Sequence, residues 1–501
     1  MKTLEKIVIV GGGTAGWLTS FLLSKHKPNI KCLTIDSSKL GSIGVGEGTT
    51  GIFLDVLQQA GLELDEIIRE TDALPKYGIN FTNWSKTPGS FISPIDGSYT
   101  NKDIVVDLLF FGALKNNISV DDISRFASLI KFNKTDLYLD QTQKIKNIFG
   151  NSALHLDTFK TINYLKKKSL ALGAEHIDSE INKINLNENG DIHSVSLANG
   201  DEVNGDLFID CSGFSKILMK ELDAKWIDYS NHLPVNTGMP FVLENDNFKK
   251  NLYTTAHAMD NGWLWEIPTR NRIGRGYVYS DQFATEDDIV KELETKFQTG
   301  VKKIKSIKFN SGRLENVWIK NCVAIGLSAA FLEPLQATSI HCTIIQIKDL
   351  LLTCLNSTVE DTLDPAIVKN YNNRMSRMYS HMTDFVSMHY SGGRVDTKFW
   401  NHVTNDLTRT PRAEELIYLA KLRLTRNFDF DVYDGYAGQW LWNYSLNGLG
   451  HFSKNTIDDF FDNSTVNTNE IDNIVKMYLK ETIENIGYTY DLQTLNEILK
   501  K

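Results

Sequence analysis

The first 36 residues contain the feature that most constrains the fold. The apolar run "KIVIV" at 6–10 leads directly into "GGGTAG", which supplies Gly11, Gly13 and Gly16 in the spacing G-x-G-x-x-G. A helix-like segment follows, and then the strand-like stretch "IKCLTID" ends in Asp36, twenty residues after Gly16. Such glycines bring a pyrophosphate close to a helix N-terminus, and the acid can accept a hydrogen bond from a ribose hydroxyl. The stretch predicts the first βαβ unit of an α/β dinucleotide-binding fold.

The motif alone leaves NAD and FAD open, and the later segments favour FAD. An NAD-binding domain usually continues as contiguous β–α units. This chain instead passes into an aromatic-rich insertion and hairpins, and returns through "FIDCSG" at 208–213 and "VAIGLSAAFLEP" at 323–334. Two late glycine loops that return to the first βαβ unit suit the longer reach of FAD.

The order of the segments predicts the architecture of the whole chain. We expect an α/β protein with an FAD-binding Rossmann-like core, an inserted mixed sheet and a helical C-terminal substrate region. The core occupies residues 1–365, with the inserted substrate-side sheet at about 71–150 and 226–310, and residues 366–501 are mainly helical. Asn189-Gly190 and Asn199-Gly200 predict tight hairpin turns between short strands.

Composition excludes several classes of protein. The net charge of -9 argues against a nucleic-acid partner. The five cysteines are odd in number and include no C-x-x-C pair, which indicates reduced thiols and argues against a structural zinc site. No apolar run is long enough to span a bilayer, and the N-terminus leads into a strand without the plan of a signal peptide. We therefore expect a cytoplasmic protein without a membrane partner.

The stretch "GWLWEIP" at 262–268 places Trp263 and Trp265 on one side of a predicted strand. This stretch is one of seven motifs that together point to a known protein family. The others are "GGGTAG", "GVGEGT", "LFIDCSGF", "RIGRGYVYS", "NCVAIGLSAAFLEPL" and "DFVSMHY". The chain resembles the flavin-dependent halogenases of the tryptophan-halogenase type, whose W-x-W-x-I-P pattern is much more discriminating than the glycine motif. The resemblance implies an FADH2-dependent enzyme that uses O2 and halide to make hypohalous acid. The two tryptophans would form a wall that keeps the organic substrate from the flavin; alternatively, they are core aromatics.

The resemblance also implies roles for individual residues. Lys76, in "LPKYGINFTNW", would deliver the oxidant, either as an ammonium that polarises hypohalous acid or, if burial lowers its pKa, as a haloamine. Thr338 and Ser339 match the halide site. The predicted FAD-binding residues are Gly11, Gly13, Thr14, Ala15, Gly16, Asp36, Gly46, Glu47, Gly326 and Leu335.

Position 336 departs from the family. The segment after "EPL" begins with a glutamate in characterised tryptophan halogenases, whereas this chain has Gln336, which cannot act as a base near neutral pH. Three explanations remain open. Another group replaces the carboxylate, or the oxidised halogen reacts with less activation, or the protein no longer halogenates. Because bromide and iodide are easier to oxidise than chloride, we expect bromide or iodide to be favoured over chloride, on an electron-rich aromatic such as an indole or phenol. The alternatives are a flavin aromatic hydroxylase and a non-catalytic FAD-binding relative.

The C-terminal region offers a possible substrate pocket. Trp440, Trp442 and Tyr444 lie in "GQWLWNYSLNGLG", in the zone from which relatives hold their arene, although they are as well suited to a core. Since no NAD(P)H domain is evident, the resemblance implies a separate flavin reductase that supplies FADH2. An oligomer is possible.

Overall fold

The computed structural model describes residues 4–39, 44, 46–95, 103–150, 152–246, 249–355, 364–430, 437–462 and 468–500. Its strands are β1 (Lys6–Val10), β2 (Lys31–Asp36), β3 (Glu47–Gly48), β4 (Leu74–Lys76), β5 (Gly78–Thr82), β6 (Ser90–Pro94), β7 (Lys134–Thr135), β8 (Leu137–Leu139), β9 (Ile145–Asn147), β10 (Ala153–Leu156), β11 (Glu175–Asp178), β12 (Ile181–Leu186), β13 (Ile192–Leu197), β14 (Glu202–Asn204), β15 (Leu207–Asp210), β16 (Trp226–Asp228), β17 (Thr237–Leu243), β18 (Tyr253–Ala258), β19 (Gly262–Pro268), β20 (Ile273–Tyr279), β21 (Val301–Lys303), β22 (Ile307–Lys308), β23 (Gly312–Leu314), β24 (Trp318–Ile319), β25 (Cys322–Ala324), β26 (Ala330–Phe331) and β27 (Tyr490–Asp491).

The α-helices are α1 (Thr14–His26), α2 (Gly51–Gln59), α3 (Leu64–Glu70), α4 (Asp103–Lys115), α5 (Arg125–Lys131), α6 (Thr158–Ala171), α7 (Ile217–Glu221), α8 (Glu286–Phe297), α9 (Thr338–Asp349), α10 (Pro365–His389), α11 (Lys398–Asn405), α12 (Pro411–Ala420), α13 (Gln439–Gly448), α14 (Lys454–Asp462), α15 (Thr468–Gly487) and α16 (Leu492–Lys500). Within the ranges given above, none of these helices is long and apolar enough to cross a membrane.

The predicted nucleotide-binding core is a six-stranded sheet in the order β11-β2-β1-β15-β25-β24. Strands β11, β2, β1, β15 and β25 run parallel, and β24 pairs with β25 in the antiparallel sense. The runs that form β1 and β15 are buried and apolar, as expected for strands covered on both faces. This arrangement confirms the α/β class and the Rossmann-like core.

The second large sheet has the order β21-β17-β20-β19-β18-β5-β6, and β22 also pairs with β17. Its central strand β19 is "GWLWEIP", which pairs with β18 and β20. Pro268 is the last residue of β19, because proline cannot donate to the ladder. The sheet joins strands from both segments predicted to form the insertion.

A three-stranded antiparallel sheet in the order β3-β10-β4 places distant residues together. Leu156 of β10 pairs with Glu47, and His155 pairs with Gly48. One strand along, Ala153 pairs with Lys76. Strand β10 therefore holds the "GVGEGT" loop and the candidate lysine on either side of itself.

Hydrophobic packing forms one main core and two smaller clusters. The main core runs from β1 and α1 through α9 to α10. A second cluster packs α4 against α13 and α15, and a third packs α8 on the face of β17, β19 and β20. The two predicted Asn-Gly turns are confirmed: they connect β12 to β13 and β13 to β14, and their glycines, Gly190 and Gly200, have φ of 84° and 92°.

Candidate active site

The glycine turn between β1 and α1 is close-packed on one side and open on the other. Gly11 has φ of 116°, and a Cβ there would overlap the carbonyl of Cys211, while one at Gly16 would overlap the carbonyl of Gly11. At Gly13 a Cβ would meet nothing within 4 Å. Helix α1 begins immediately afterwards at Thr14 with no side-chain cap. The first N–H groups of the helix are thus available to an anion, as a bound pyrophosphate requires.

Asp36 lies where the sequence predicts it, at the end of β2 and on the wall of the same cavity. Its Oδ1 is 2.5 Å from Nε2 of His176. A Cβ at Gly12 would overlap the Asp36 carboxylate. The glycine at position 12 therefore leaves the space that this carboxylate occupies.

Glu47 reaches the glycine turn from the "GVGEGT" loop. The hydroxyl of Thr14 donates to the two carboxylate oxygens of Glu47 at 3.0 and 3.2 Å. Burial raises the pKa of Glu47 to about 7, although the hydrogen bond from Thr14 opposes the shift. The loop is thereby tied to the first residue of α1.

The two late glycine loops close on the same turn. Asp210, at the end of β15, accepts hydrogen bonds from the Ser212 hydroxyl at 2.6 Å and the Ser328 hydroxyl at 3.1 Å. Gly326 has φ of 74°, and a Cβ there would lie 2.8 Å from the Cβ of Ala15. These contacts bring the "FIDCSG" and "VAIGLS" segments to the βαβ unit, as the sequence predicts.

A single large cavity of about 1010 Å³ connects the nucleotide end to the candidate lysine. Its lining includes all the predicted FAD residues except Gly16, which lies beneath the turn. It also includes Lys76, Trp263, Trp265, Gln336 and Ser339. An extended cofactor at one end would thus reach the lysine and the tryptophans at the other.

Lys76 is 1% exposed and lies at the end of β4. Its Nζ donates to the carbonyl oxygen of Thr49 at 2.9 Å. Burial lowers the pKa of Lys76 to about 7. A Cβ at Gly48 would lie 3.3 Å from Nζ, so the glycine leaves room for the amine.

Trp263 and Trp265 line the cavity, and they are also packed in the core. Their exposed fractions are 2% and 6%, and their ring centroids are 6.3 Å apart. Gly276 on the neighbouring strand provides the space for the Trp265 ring, because a Cβ there would overlap it. Core packing is thus observed for both side chains, and their role as a wall between substrate and flavin stays a prediction.

The predicted halide residues lie at the N-terminus of α9. Gln336 and Ala337 both have positive φ, 63° and 55°, and Thr338 then begins the helix without a side-chain cap. Thr338 and Ser339 border a separate small cavity of about 10 Å³, close to the space that one water molecule needs. The N–H groups in the first turn of a helix are suited to a small anion, and two residues of that turn border this cavity.

Gln336 contacts residues that the sequence interpretation did not include. Its amide nitrogen is 3.3 Å from Oγ of Ser93 and 2.8 Å from Nε2 of His389. Three residues earlier, the buried carboxylate of Glu333 accepts a hydrogen bond from the Tyr390 hydroxyl at 2.9 Å, and burial raises its pKa to about 8. "DFVSMHY" contains both partners, His389 and Tyr390, but nothing local in it shows what they contact.

The three aromatic residues of α13 lie outside the lining of the large cavity, as far as the described residues define it. Trp440 stacks on Tyr444, and the Tyr444 hydroxyl donates to the Val120 carbonyl at 2.8 Å. Trp442 packs between Phe385 and Phe430, with ring centroids 5.6 Å from each. The structure thus places them in packed clusters, and a role in substrate binding stays a prediction.

Comparisons with known proteins agree with this geometry. A profile of the tryptophan halogenase family matches residues 6–464. Tryptophan 7-halogenase RebH of Lentzea aerocolonigenes is 31% identical over 429 residues, which are 79% of this chain and 78% of that protein. The structure of BrvH, a flavin-dependent halogenase from Brevundimonas sp. BAL3, has a TM-score of 0.83 and 27% identity, with 99% of each chain covered.

Tar14, a tryptophan C-6 flavin-dependent halogenase (chlorinase) from taromycin biosynthesis, has a TM-score of 0.87, and the match covers 99% of this chain and 100% of that one. At 24% identity it shows likeness of fold alone. The family profile and the 31% identical relative go further, and they confirm the resemblance read from the sequence motifs. The chain belongs to the tryptophan halogenase family and is an FADH2-dependent halogenase that uses O2 and halide.

Proposed function

We propose that this enzyme halogenates a small electron-rich aromatic compound, such as an indole or phenol, with Lys76 as the catalytic residue. The observation that carries the proposal is the continuous cavity, which has the glycine turn at one end and Lys76 with the tryptophans at the other. Relatives named as tryptophan halogenases support an indole as the first compound to test.

The residues at the nucleotide end fit FAD. The open face at Gly13 and the uncapped start of α1 suit the pyrophosphate, and Asp36 suits a ribose hydroxyl. When bound and reduced, FAD together with O2 supplies the two-electron oxidation of halide to hypohalous acid. A separate flavin reductase would supply FADH2 to the enzyme.

Thr338 and Ser339 would hold the halide through their backbone N–H groups. The small cavity beside them and the absence of a side-chain cap on α9 support this assignment. Ser339 borders both the small cavity and the large one, so an anion held there lies next to the space proposed for FAD.

Lys76 would carry the oxidised halogen to the arene as a haloamine. With a pKa of about 7, about half of the lysine is free amine at pH 7. The amine nitrogen attacks the halogen of hypohalous acid; the N–X bond forms, the O–X bond breaks, and hydroxide leaves with a nitrogen proton as water. The arene then attacks the halogen: the C–X bond forms, and the N–X bond breaks with its electron pair left on nitrogen. The ring proton is transferred to that nitrogen, which restores the free amine.

The wall formed by Trp263 and Trp265 would keep the arene away from the flavin. Both indoles are almost fully buried and fixed by their neighbours, including the space at Gly276. On this proposal, the two rigid indoles would stand between the arene and the flavin, and the small oxidant would travel along the cavity to Lys76. This separation favours halogenation over hydroxylation.

The preference for bromide or iodide is part of the proposal, but the comparisons do not support it. A structural neighbour, Tar14, is named as a chlorinase. The preference rests on Gln336, a neutral amide where the family has a glutamate, which offers less activation of the electrophile. We expect more product with bromide or iodide than with chloride when the halides are compared directly.

The test is a halide competition followed by mass spectrometry. The enzyme, FAD, a flavin reductase and NADH are incubated with indoles, phenols and pyrroles in chloride, bromide or iodide, with catalase present to remove stray peroxide. We expect halogenated product that disappears in Lys76→Ala, while FAD binding and flavin oxidation continue. Lys86→Ala, which removes an exposed lysine, is the matched control. Oxygenated product without halogen, or product that persists in Lys76→Ala, contradicts the proposal.

A further inference from the structure

The NH2 group of the Gln336 side chain has two hydrogen-bond partners, and both lie in the protein interior. The residue is 3% exposed and borders the large cavity. Its Nε2 donates to Oγ of Ser93 at 3.3 Å and lies 2.8 Å from Nε2 of His389. Among the described residues, Ser93 and His389 are not part of the cavity lining, so the NH2 end of the amide is directed into the protein.

The hydrogen-bonding state of His389 determines that its ring binds the NH2 end of the Gln336 amide and not the oxygen end. Its Nδ1 is 2.7 Å from the carbonyl oxygen of Phe385, which can only accept. Nδ1 therefore carries the hydrogen in the neutral ring, and Nε2 is left as an acceptor for the Gln336 NH2 group. Burial lowers the pKa of His389 to about 4, so the ring keeps this form throughout the neutral range.

His389 is itself held firmly at the end of α10. Its ring stacks on Phe81 and meets Phe385 edge-on, with centroid distances of 4.9 Å in both cases. The Ser445 hydroxyl of α13 lies 3.4 Å from the same Nε2. A carboxylate at position 336 would face the lone pair of this neutral ring, whereas an amide hydrogen completes a hydrogen bond. The glutamine and the neutral histidine therefore suit each other.

We propose that His389 is a positioning residue for halogen transfer: with Ser93 it holds the NH2 end of Gln336 in the protein interior, so that the amide oxygen acts as a neutral hydrogen-bond acceptor in the cavity that contains Lys76. This inference rests on the proposed function and names what the chain has in place of the family's carboxylate. His389 does not touch the substrate and acts only through Gln336. Without the acceptor at Nε2, the amide can turn and present its NH2 group to the cavity.

The test compares two substitutions of His389. His389→Phe keeps a ring that can stack on Phe81 but removes the acceptor, and His389→Gln restores an acceptor oxygen near the position of Nε2. We expect His389→Phe to lower kcat for halogenated product by roughly tenfold, the effect of one unmet buried hydrogen bond. Flavin oxidation and the KM for the arene should be unchanged, while more free hypohalous acid reaches a chemical trap. His389→Gln should recover most of the yield.

A double-mutant cycle shows whether the effect passes through Gln336. In the Gln336→Leu background, His389→Phe should cause no further loss, because the group it positions is absent. Additive losses, equal defects in His389→Phe and His389→Gln, or a parallel fall in flavin oxidation would each overturn the inference. A wild-type enzyme that makes no halogenated product contradicts the proposed function instead, so the two failures are distinct.

Histidine nitrogen NMR keeps the inference testable even where His389→Phe does not fold. The wild-type His389 signal, identified by its loss in His389→Gln, should be that of a neutral ring protonated at Nδ1. In Gln336→Leu the same ring should stay neutral, with its Nε2 signal shifted by the loss of the amide hydrogen bond. A wild-type ring protonated at Nε2, or an Nε2 signal that Gln336→Leu leaves unchanged, would overturn the inference.

Discussion

Replacement of Lys76 by methionine should stabilise the protein, because the buried amine costs folding free energy near neutral pH. Burial lowers the pKa of Lys76 from 10.5 to about 7. The unfolded chain therefore binds more protons than the folded one between these two values, and the free energy of unfolding rises with pH across that window. One pKa unit corresponds to about 1.4 kcal/mol, so the lysine costs about 4 kcal/mol at pH 7 and about 2 kcal/mol at pH 9.

Methionine has nearly the same length and no charge, so it recovers this cost. Methionine also removes the hydrogen bond that Lys76 donates to the Thr49 carbonyl at 2.9 Å, and this loss reduces the gain in unfolding free energy by about 1 kcal/mol. We expect Lys76→Met to exceed the wild type by about 3 kcal/mol in unfolding free energy at pH 7, and the gain to fall by about 2 kcal/mol at pH 9.

The assay is denaturant unfolding of the FAD-free proteins, followed by tryptophan fluorescence at several pH values from 6 to 9.5. Lys86→Met removes an exposed lysine and controls for the loss of one positive charge. The reasoning is refuted if Lys76→Met is no more stable than the wild type at pH 7. It is also refuted if the gain does not change with pH, because the pH dependence comes only from the titration of this amine.

Three other changes test the remaining parts of the site. Halogenation by the wild type should rise with pH through about 7, as the Lys76 amine loses its proton, whereas flavin oxidation measured in parallel should not. Gly12→Ala should abolish FAD binding, measured by flavin fluorescence, because the new methyl group displaces the Asp36 carboxylate. Ser339→Pro, which removes a backbone N–H group in the first turn of α9, should raise the KM for halide, while Ser339→Ala should leave it nearly unchanged; an equal effect of the two would point to the side chain instead.

The nucleotide end of the site could be predicted from the sequence because its information is local. A strand, three spaced glycines, a helix and an acid occur within residues 6–36, and each has a steric or hydrogen-bonding reason to be there. The strand "GWLWEIP" could also be predicted, because the alternation places both tryptophans on one face and the final proline ends the strand. In both cases one segment contains the whole pattern.

The substrate end depends on pairings between distant segments. Lys76 lies near the Glu47 loop only because β10, about 75 residues further along the chain, pairs with both segments. The burial that lowers the Lys76 pKa follows from this pairing, so composition and spacing leave the two proposed lysine routes open. His389 escaped prediction for the same reason, since its contact with Gln336 joins residues 53 positions apart. The aromatic residues of α13 could not be assigned from sequence for a different reason. An aromatic-rich helix has the same sequence pattern whether it packs in a core or lines a pocket.

The neutral amide at position 336 and the lowered pKa of Lys76 are best understood together. A carboxylate within a few ångströms would favour the ammonium form and raise the lysine pKa. In this chain burial is the cause of the shift, and it lowers the pKa to about 7. Gln336 is paired with an imidazole that stays neutral, so this pair adds no negative charge to the cavity wall. On the proposed haloamine route, the replacement of the glutamate therefore does more than remove a base, because a neutral amide in the cavity that Lys76 also lines does not favour the ammonium form.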